Sequence, residues 1–323
     1  MNQIYRPLTT SPANRSADNE PRSGSAANPR TWTTLMGLGL LWAISKSLPY
    51  RAQLALGGAC GRIIAHKVCR KRRHIADVNL DLCFPEQSRA WRDDLVRRHF
   101  EALGMTPFEL AAAWWGSDRL HRRLLQLEGI EHVHEAKRSG RGVLLVTCHT
   151  TCHELCAFLL APWLPLEGYA IYKPFKDPAI QRVAHRARQR VAGLTHRDHL
   201  RGVVRHLKLG GLVWYAPDQS EGRPGGVLVP FFGEPKLVHT APARLAKATG
   251  AAVMPLHTAR LPGGSGYRVI VRPPLEDFPS GDDVADAARI ARVVEEQVEL
   301  APEQYSWYHR RFKRPGLPNP YRY

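Results

Sequence analysis

The sequence lacks an apolar run long enough to cross a bilayer core, which takes roughly 20 residues. Its first apolar stretch, TLMGLGLLWAISKSLPY, contains an uncharged run from Leu35 to Ile44. A membrane-embedded or interfacial helix and an ordinary buried helix both fit such a run. We expect the former, because a second apolar segment at 52–64 is followed by cations suited to lipid headgroups. These cations are Lys67, Arg70, Lys71, Arg72 and Arg73, and a solvated helix face is their alternative interpretation.

Acidic residues are also scarce. The chain has 46 Lys and Arg against 29 Asp and Glu, which gives a formal charge of +17. This balance predicts an anionic partner such as a membrane surface, a polyphosphate or an acidic protein. We expect no nucleic acid partner, because no helix-turn-helix, zinc-finger or RNP-like signature accompanies the charge.

Cysteine is too sparse for a disulfide framework, and the six residues present favour a reducing compartment. Cys148, Cys152 and Cys156 recur every four residues, and His149 and His153 share that spacing, as some metal ligands do. The segment HELCA, however, lacks the second His of the H-E-x-x-H motif. We therefore expect no metal, and interpret the cysteines as small apolar residues of one helical stripe.

Composition divides the chain into three parts. Residues 1–31 are rich in Ser, Asn, Ala, Pro and Arg without an apolar period, which predicts a polar tail and no secretory signal. Residues 32–130 show helical spacing throughout and are predicted to form a helical region that associates with a membrane. Residues 131–323 are predicted to form an α/β core.

Short β-runs in that core alternate with helical stretches near 151–161, 178–192 and 199–209. The β-runs are GVLLVT, GYAIYK, GLVWYA, GVLVPFF, AAVMPLHT and YRVIVRPP. This alternation predicts an α/β fold with a central sheet, mostly parallel or mixed, flanked by helices. No G-x-G-x-x-G or P-loop motif is present, so a nucleotide-binding fold has no support.

The stretch VTCHTTCHEL places polar side chains directly after an apolar strand, where ligands of such sheets gather. His149 and Glu154 would lie about 140° apart on a regular helix. We therefore expect His149 in the turn before the helix, Thr150 or Thr151 at the N-cap, and Glu154 near the third helical position. A histidine there is suited to act as general base on a substrate hydroxyl that attacks a thioester, with Glu154 orienting the imidazole. Simple helix capping is the alternative reading.

Five further segments resemble the bacterial lipid A late acyltransferases, members of the glycerolipid acyltransferase group. These segments are NLDLCFPE at 79–86, IYKP at 171–174, VWYAPDQ at 213–219, VLVPFFG at 227–233 and APEQYSWYHRRFK at 301–313. The resemblance maps the H-x4-D/E signature of the group onto His149 and Glu154. It implies an enzyme on the cytoplasmic face of the inner membrane, without metal or redox cofactor. Its reaction would move a fatty acyl chain from acyl carrier protein to a 3-hydroxyacyl group of a Kdo-bearing lipid A precursor.

The resemblance also implies substrate-binding residues. Lys173 in YKP stands where many members carry Arg, and Asp218 in APDQ is the other polar mark of the family. We add four basic candidates, Arg223 in the loop SEGRPGG and His309, Arg310 and Arg311 in the last motif. Two alternatives remain open at this point: a related acyltransferase with a lysophospholipid or phosphoglycolipid acceptor, and a non-catalytic protein that binds anionic membranes.

Overall fold

A computed structural model describes most of the chain. The described residues are 29–67, 69–164, 168–172, 174–196, 200–219, 226–313 and 323. Of the polar tail predicted at 1–31, residues 1–28 lie outside this part, and the last three residues already belong to the first helix.

Helices make up the described chain as far as residue 124, as the 3.6-residue spacing predicts. They are α1 (Pro29–Ser47), α2 (Tyr50–Lys67), α3 (Arg70–Cys83), α4 (Arg89–Trp115) and α5 (Asp118–Leu124). The side chain of Ser88 caps the long helix α4 by accepting a hydrogen bond from the backbone N–H of Trp91 at 3.2 Å. One part of the prediction is wrong: residues 125–128, inside the region predicted to be helical throughout, form a strand of the sheet.

Helices α2 and α4 pack closely because glycines line both sides of their crossing. A Cβ atom on Gly61 would lie 2.2 Å from the carbonyl oxygen of Phe100, and one on Gly104 would lie 2.2 Å from the oxygen of Gly57. Only a residue without a side chain allows the two backbones to approach this closely. The crossing matters for the site, because α4 contacts the helix that follows the candidate catalytic turn.

Strands and helices alternate through the rest of the chain. They are β1 (Leu125–Glu128), α6 (Ile130–Arg138), β2 (Val143–Val146), α7 (His153–Leu160), β3 (Gly168–Tyr172), α8 (Pro178–Arg188), β4 (Gly193–His196), α9 (Leu200–Lys208), β5 (Leu212–Tyr215), β6 (Gly226–Phe231), β7 (Glu234–His239), α10 (Ala241–Thr249), β8 (Ala252–Arg260), β9 (Tyr267–Val271) and α11 (Asp283–Leu300). Each of the six predicted β-runs forms a strand, and α7, α8 and α9 occupy the three predicted helical stretches.

Seven strands form a mixed sheet in the order β1-β9-β8-β2-β5-β3-β4. Neighbours pair in parallel, with the exception of the antiparallel pair β8 and β9, while β6 and β7 form a separate antiparallel hairpin. Helices flank the sheet, so the predicted α/β class is confirmed. Strand β2 is buried on both faces, because Leu144 and Val146 contribute to one apolar core and Val143 and Leu145 to the other.

Helix α1 leaves large apolar side chains at the surface. Trp32, Met36 and Leu40, spaced by one helical turn, are each more than half exposed, and Met36 reaches 73%. Within the described ranges, none of the helices combines the length and apolar character that crossing a membrane requires. The membrane association predicted for this region stays a prediction.

Candidate active site

The site lies at the carboxyl ends of two neighbouring parallel strands. Val146, the last residue of β2, is in register with Tyr215, the last residue of β5. His149 follows the first strand by three residues and Asp218 follows the second by three. Because parallel strands end at the same edge of a sheet, these two turns lie side by side.

His149 and Asp218 form a hydrogen-bonded pair. His149 Nδ1 lies 2.5 Å from Asp218 Oδ1, and the backbone N–H of His149 donates to Asp218 Oδ2 at 3.2 Å. The Asp218 side chain is fully buried, whereas 28% of the His149 side chain remains exposed. Burial alone would raise the pKa of Asp218, but His149 and Arg311 hold it well below its usual range. Since the ionised carboxylate only accepts, Nδ1 carries the hydrogen of this bond, and Nε2 is the ring nitrogen outside it.

Arg311 holds Asp218 from its other side. Its Nη1 donates to Asp218 Oδ2 at 2.6 Å and to the Asp218 carbonyl at 3.1 Å, while Nη2 donates to the carbonyl of Ser306 at 2.9 Å. The guanidinium also stacks over the ring of Tyr305, with 4.2 Å to the centroid. Sequence reasoning assigned Arg311 and Asp218 to substrate binding. That assignment is corrected here, because both side chains are buried against each other and orient His149 instead.

The C-terminal motif fixes the turn that carries His149. The backbone N–H of Ser306 donates to the carbonyl of His149 at 3.0 Å, and the N–H of Thr151 donates to Gln304 O at 2.7 Å. Thr150 and Tyr305 form an isolated antiparallel bridge between these two contacts. Residues 304–306 thus pair with the turn that carries His149, and this pairing fixes the backbone there.

Glu154 does not pair with His149. Its Oε1 and Oε2 accept from Arg188 Nε and Nη2 at 2.8 and 2.7 Å, and Trp114 Nε1 donates to Oε1 at 3.2 Å. Burial would raise the pKa of Glu154, but the charge and hydrogen bonds of Arg188 lower it. The predicted pairing of Glu154 with His149 is therefore wrong: Asp218, and not Glu154, bonds His149 Nδ1.

The predicted capping arrangement is also different. Helix α7 begins at His153 after an N-cap residue, Cys152, whose side chain makes no capping bond, so Glu154 is the second helical residue. The Thr150 hydroxyl does not cap the helix and lies instead 3.4 Å from the hydroxyl of Thr258. Glu154 is placed to pair across to α8 rather than back toward the turn.

Sequence reasoning missed Arg188. It lies at the end of α8, in the basic run HRARQR, where nothing distinguishes it from its neighbours. In the structure it binds both oxygens of Glu154, and its guanidinium lies 5.2 Å from the ring centroid of Phe175. A bidentate Arg–carboxylate pair fixes the orientation of both groups, so α7 and α8 are joined at the edge of the site.

Two more histidines approach the site. His153 Nδ1 bonds the carbonyl of Thr150 at 2.7 Å, its ring lies 5.5 Å from that of His149, and burial lowers its pKa. Burial, and then Arg311 and His149, lower the pKa of His309 to about 3, so that this ring is neutral at physiological pH. The guanidinium of Arg310 lies 5.7 Å from the ring centroid of Tyr323.

The remaining predicted site residues, Lys173 and Arg223, lie outside the described part of the chain. For His309 and Arg310, a role in substrate binding stays a prediction, as does a catalytic role for His149 and Glu154.

The fold and this pair of groups define a class of protein: an α/β protein with a histidine hydrogen-bonded to a buried carboxylate where two parallel strands end. A family model described as bacterial lipid A biosynthesis acyltransferase matches residues 20–314. The chain therefore belongs to this family, and it is an O-acyltransferase.

The sequence is similar to curated relatives over most of their length. The chain is 37% identical to the lipid A biosynthesis lauroyltransferase of Escherichia coli (strain K12), over 94% of this chain and 99% of that protein. It is 35% identical to the palmitoleoyltransferase of the same organism, over 88% and 92% of the two chains. The myristoyltransferase of that organism is 30% identical, over 92% and 93%.

Proposed function

We propose that this enzyme transfers a fatty acyl chain from acyl carrier protein to the hydroxyl of a 3-hydroxyacyl group on a Kdo-bearing lipid A precursor. The observation that carries the proposal is the His149–Asp218 pair, in which Asp218 occupies Nδ1 and leaves Nε2 as the proton acceptor. Such a base activates a hydroxyl without a nucleophile from the protein.

The reaction balances with His149 as the single proton carrier. Nε2 takes the proton of the acceptor hydroxyl as its oxygen attacks the thioester carbonyl carbon. The tetrahedral intermediate then collapses, the C–S bond breaks, and the imidazolium returns the proton to the leaving thiolate. The products are a new ester and free carrier thiol. Asp218 stabilises the imidazolium throughout, as the buried carboxylate of a catalytic triad does.

The net charge of the protein and the names of its relatives support the proposed substrates. The formal charge of +17 suits both a phosphorylated, carboxylated glycolipid and an acidic carrier protein. The curated relatives are named as lauroyl-, palmitoleoyl- and myristoyltransferases of lipid A biosynthesis, which supports a fatty acyl group as the transferred unit.

We further propose that the enzyme works on the cytoplasmic face of the inner membrane, with α1 lying along the interface. The exposed stripe of Trp32, Met36 and Leu40 offers apolar surface to the acyl region of a leaflet. Lipid substrates reside there, so association would bring the site to its acceptor.

The test is mass spectrometry of the lipid product. Purified enzyme receives acyl carrier protein loaded with chains of mixed length and a tetra-acylated, Kdo-bearing acceptor. We expect a mass gain of one acyl group that is lost in His149→Ala. His74→Ala, which changes an exposed histidine of α3, serves as the matched control and should retain the gain.

A gain seen with a lysophospholipid, and absent with the Kdo-bearing acceptor, would replace the acceptor in the proposal. Absence of acyl transfer to any lipid hydroxyl, with a folded protein, would refute it. A gain that persists in His149→Ala would refute the role of His149 as general base.

A further inference from the structure

A small cavity of about 10 Å³, which admits no more than one water molecule, lies beside Asp218. Its walls are Pro217, Asp218, Phe231, Lys236, Val238, Ile290, Ala291 and Val294. All of these except Asp218 and Lys236 are apolar. Asp218 and Lys236 therefore line the same small cavity.

Lys236 is buried to an unusual degree for a lysine, with 2% of its surface exposed. Strand β7 carries it inward, and its Nζ lies 5.3 Å from the ring centroid of Phe231 on the paired strand β6. A buried ammonium costs free energy unless charge or ring contacts compensate it, so its retention here requires an explanation.

The charges around this cavity are unequal. Asp218 contributes one negative charge, while Arg311, which is bonded to it, and Lys236 contribute two positive charges. Among the described residues, the further titratable group that acts on Lys236 is the buried thiol of Cys83, at the end of α3, and the α11 residues that line the cavity are apolar. The His149–Asp218 pair thus lies beside a surplus positive charge.

We propose that Lys236 is a positioning residue, which acts across the cavity that it shares with Asp218, together with Arg311, to keep this carboxylate ionised and to set the pH range in which the His149–Asp218 pair works. The inference rests on the proposed general-base function. A hydrogen-bonded pair takes up a proton as a unit, and a nearby positive charge lowers the pH at which it does so. Lys236 therefore extends the active, unprotonated form of the pair toward acidic pH.

The state of Lys236 itself supports this role. Burial, and then the neighbouring Arg311, lower its pKa from 10.5 to about 8. It is charged over the acidic and neutral range, where the effect is needed, and becomes neutral at alkaline pH. A variant without this charge should consequently differ from the wild type at acidic pH and approach it above pH 8.

The experiment compares pH–rate profiles of acyl transfer for wild type, Lys236→Met and Lys236→Arg. Lys247→Met removes an exposed lysine of α10 and is the matched control for the change in net charge. We expect the acidic limb of Lys236→Met to move to higher pH by about half to one unit, a loss of roughly three- to tenfold on that limb. Lys236→Arg and Lys247→Met should keep the wild-type limb.

A constant ratio of the wild-type and Lys236→Met rates at every pH would indicate a merely structural effect and overturn the inference. An equal shift in Lys247→Met would overturn it too, because total charge would then be the cause. Should Lys236→Arg fail to fold, the other two variants decide the question. Absence of acyl transfer by the wild type at any pH would count against the proposed function rather than against Lys236 alone.

Discussion

At the residue scale, the site contains buried carboxylates, each hydrogen-bonded to a basic side chain. Asp218 accepts from both His149 and Arg311, and Glu154 accepts from Arg188 through both oxygens. A buried charge that loses its partner is strongly destabilising, whereas an exposed ion pair contributes little. Substitutions here should therefore change activity, stability or both, according to which partner is left unpaired.

Asp218→Asn should reduce the rate of acyl transfer by about 10²- to 10⁴-fold, because the amide neither stabilises the imidazolium nor fixes Nδ1–H. Steady-state kinetics with purified protein measures this. Asp177→Asn changes a carboxylate that caps α8 at the surface, and should leave the rate within about twofold of wild type. Equal losses in the two variants would contradict a special role for Asp218.

Arg188→Met should lower the free energy of unfolding by about 3–5 kcal/mol, because Glu154 would remain buried without its cation. Chemical denaturation measures the loss. The double variant Arg188→Met with Glu154→Gln removes both charges and should recover part of it. If the double variant is as unstable as the sum of the two single variants, the pair is not coupled.

Lys236 gives a pH dependence of stability with a defined sign. Because its pKa is lowered to about 8 in the folded state, its charged form costs folding energy at neutral pH, and this cost disappears as pH rises from about 8 toward 10.5. Lys236→Met should therefore be about 2 kcal/mol more stable than wild type at pH 7. Denaturation at pH 7 and at pH 10 tests this, and a difference that does not shrink at pH 10 would contradict it.

At the scale of elements, glycines let the backbones of α2 and α4 approach closely where these helices cross. Gly61→Val should destabilise the protein by more than about 3 kcal/mol, since even a Cβ atom would clash with the carbonyl of Phe100. Gly202→Val, on the exposed face of α9 with open space at its Cβ position, is the matched control and should cost less than about 1 kcal/mol. Thermal unfolding of both proteins provides the comparison.

The element that completes the site comes from the far end of the chain. Residues 304–306 form backbone hydrogen bonds with the turn that carries His149. Arg311, five residues further along, donates to Asp218. Helix α3 secures this segment, because Asn79 donates to the carbonyls of Trp307 and His309 at 2.5 and 2.7 Å. Three separate parts of the chain thus meet where the strands end.

At the scale of the whole molecule, two features support the proposed binding to an anionic membrane: the formal charge of +17 and the exposed apolar stripe on α1. Met36→Ser with Leu40→Ser should reduce sedimentation with anionic lipid vesicles by about tenfold, since two large apolar side chains are lost from the interface. Leu209→Ser removes a similarly exposed leucine from the turn between α9 and β5 and should have little effect. Equal binding of all three proteins would remove α1 from the proposed contact.

The local pattern of apolar and polar residues determined many of the helices and strands of this protein. Apolar runs such as GVLLVT became buried strands because their β-branched and aliphatic residues suit a sheet covered on both faces. The position of His149 after such a strand followed from the same pattern. The strands that sequence reasoning missed, β1, β4 and β7, lack the continuous apolar run that marks a strand such as β2.

The partners of the catalytic groups were decided by the tertiary structure alone. Sequence proximity favoured Glu154 as the partner of His149, yet Asp218, 69 residues away, lies closer because β5 is the neighbour of β2 in the sheet. Likewise Arg188, Arg311 and Lys236 resemble any surface cation in sequence. Burial beside a carboxylate distinguishes them, and burial depends on the order of strands, which no local stretch of sequence encodes.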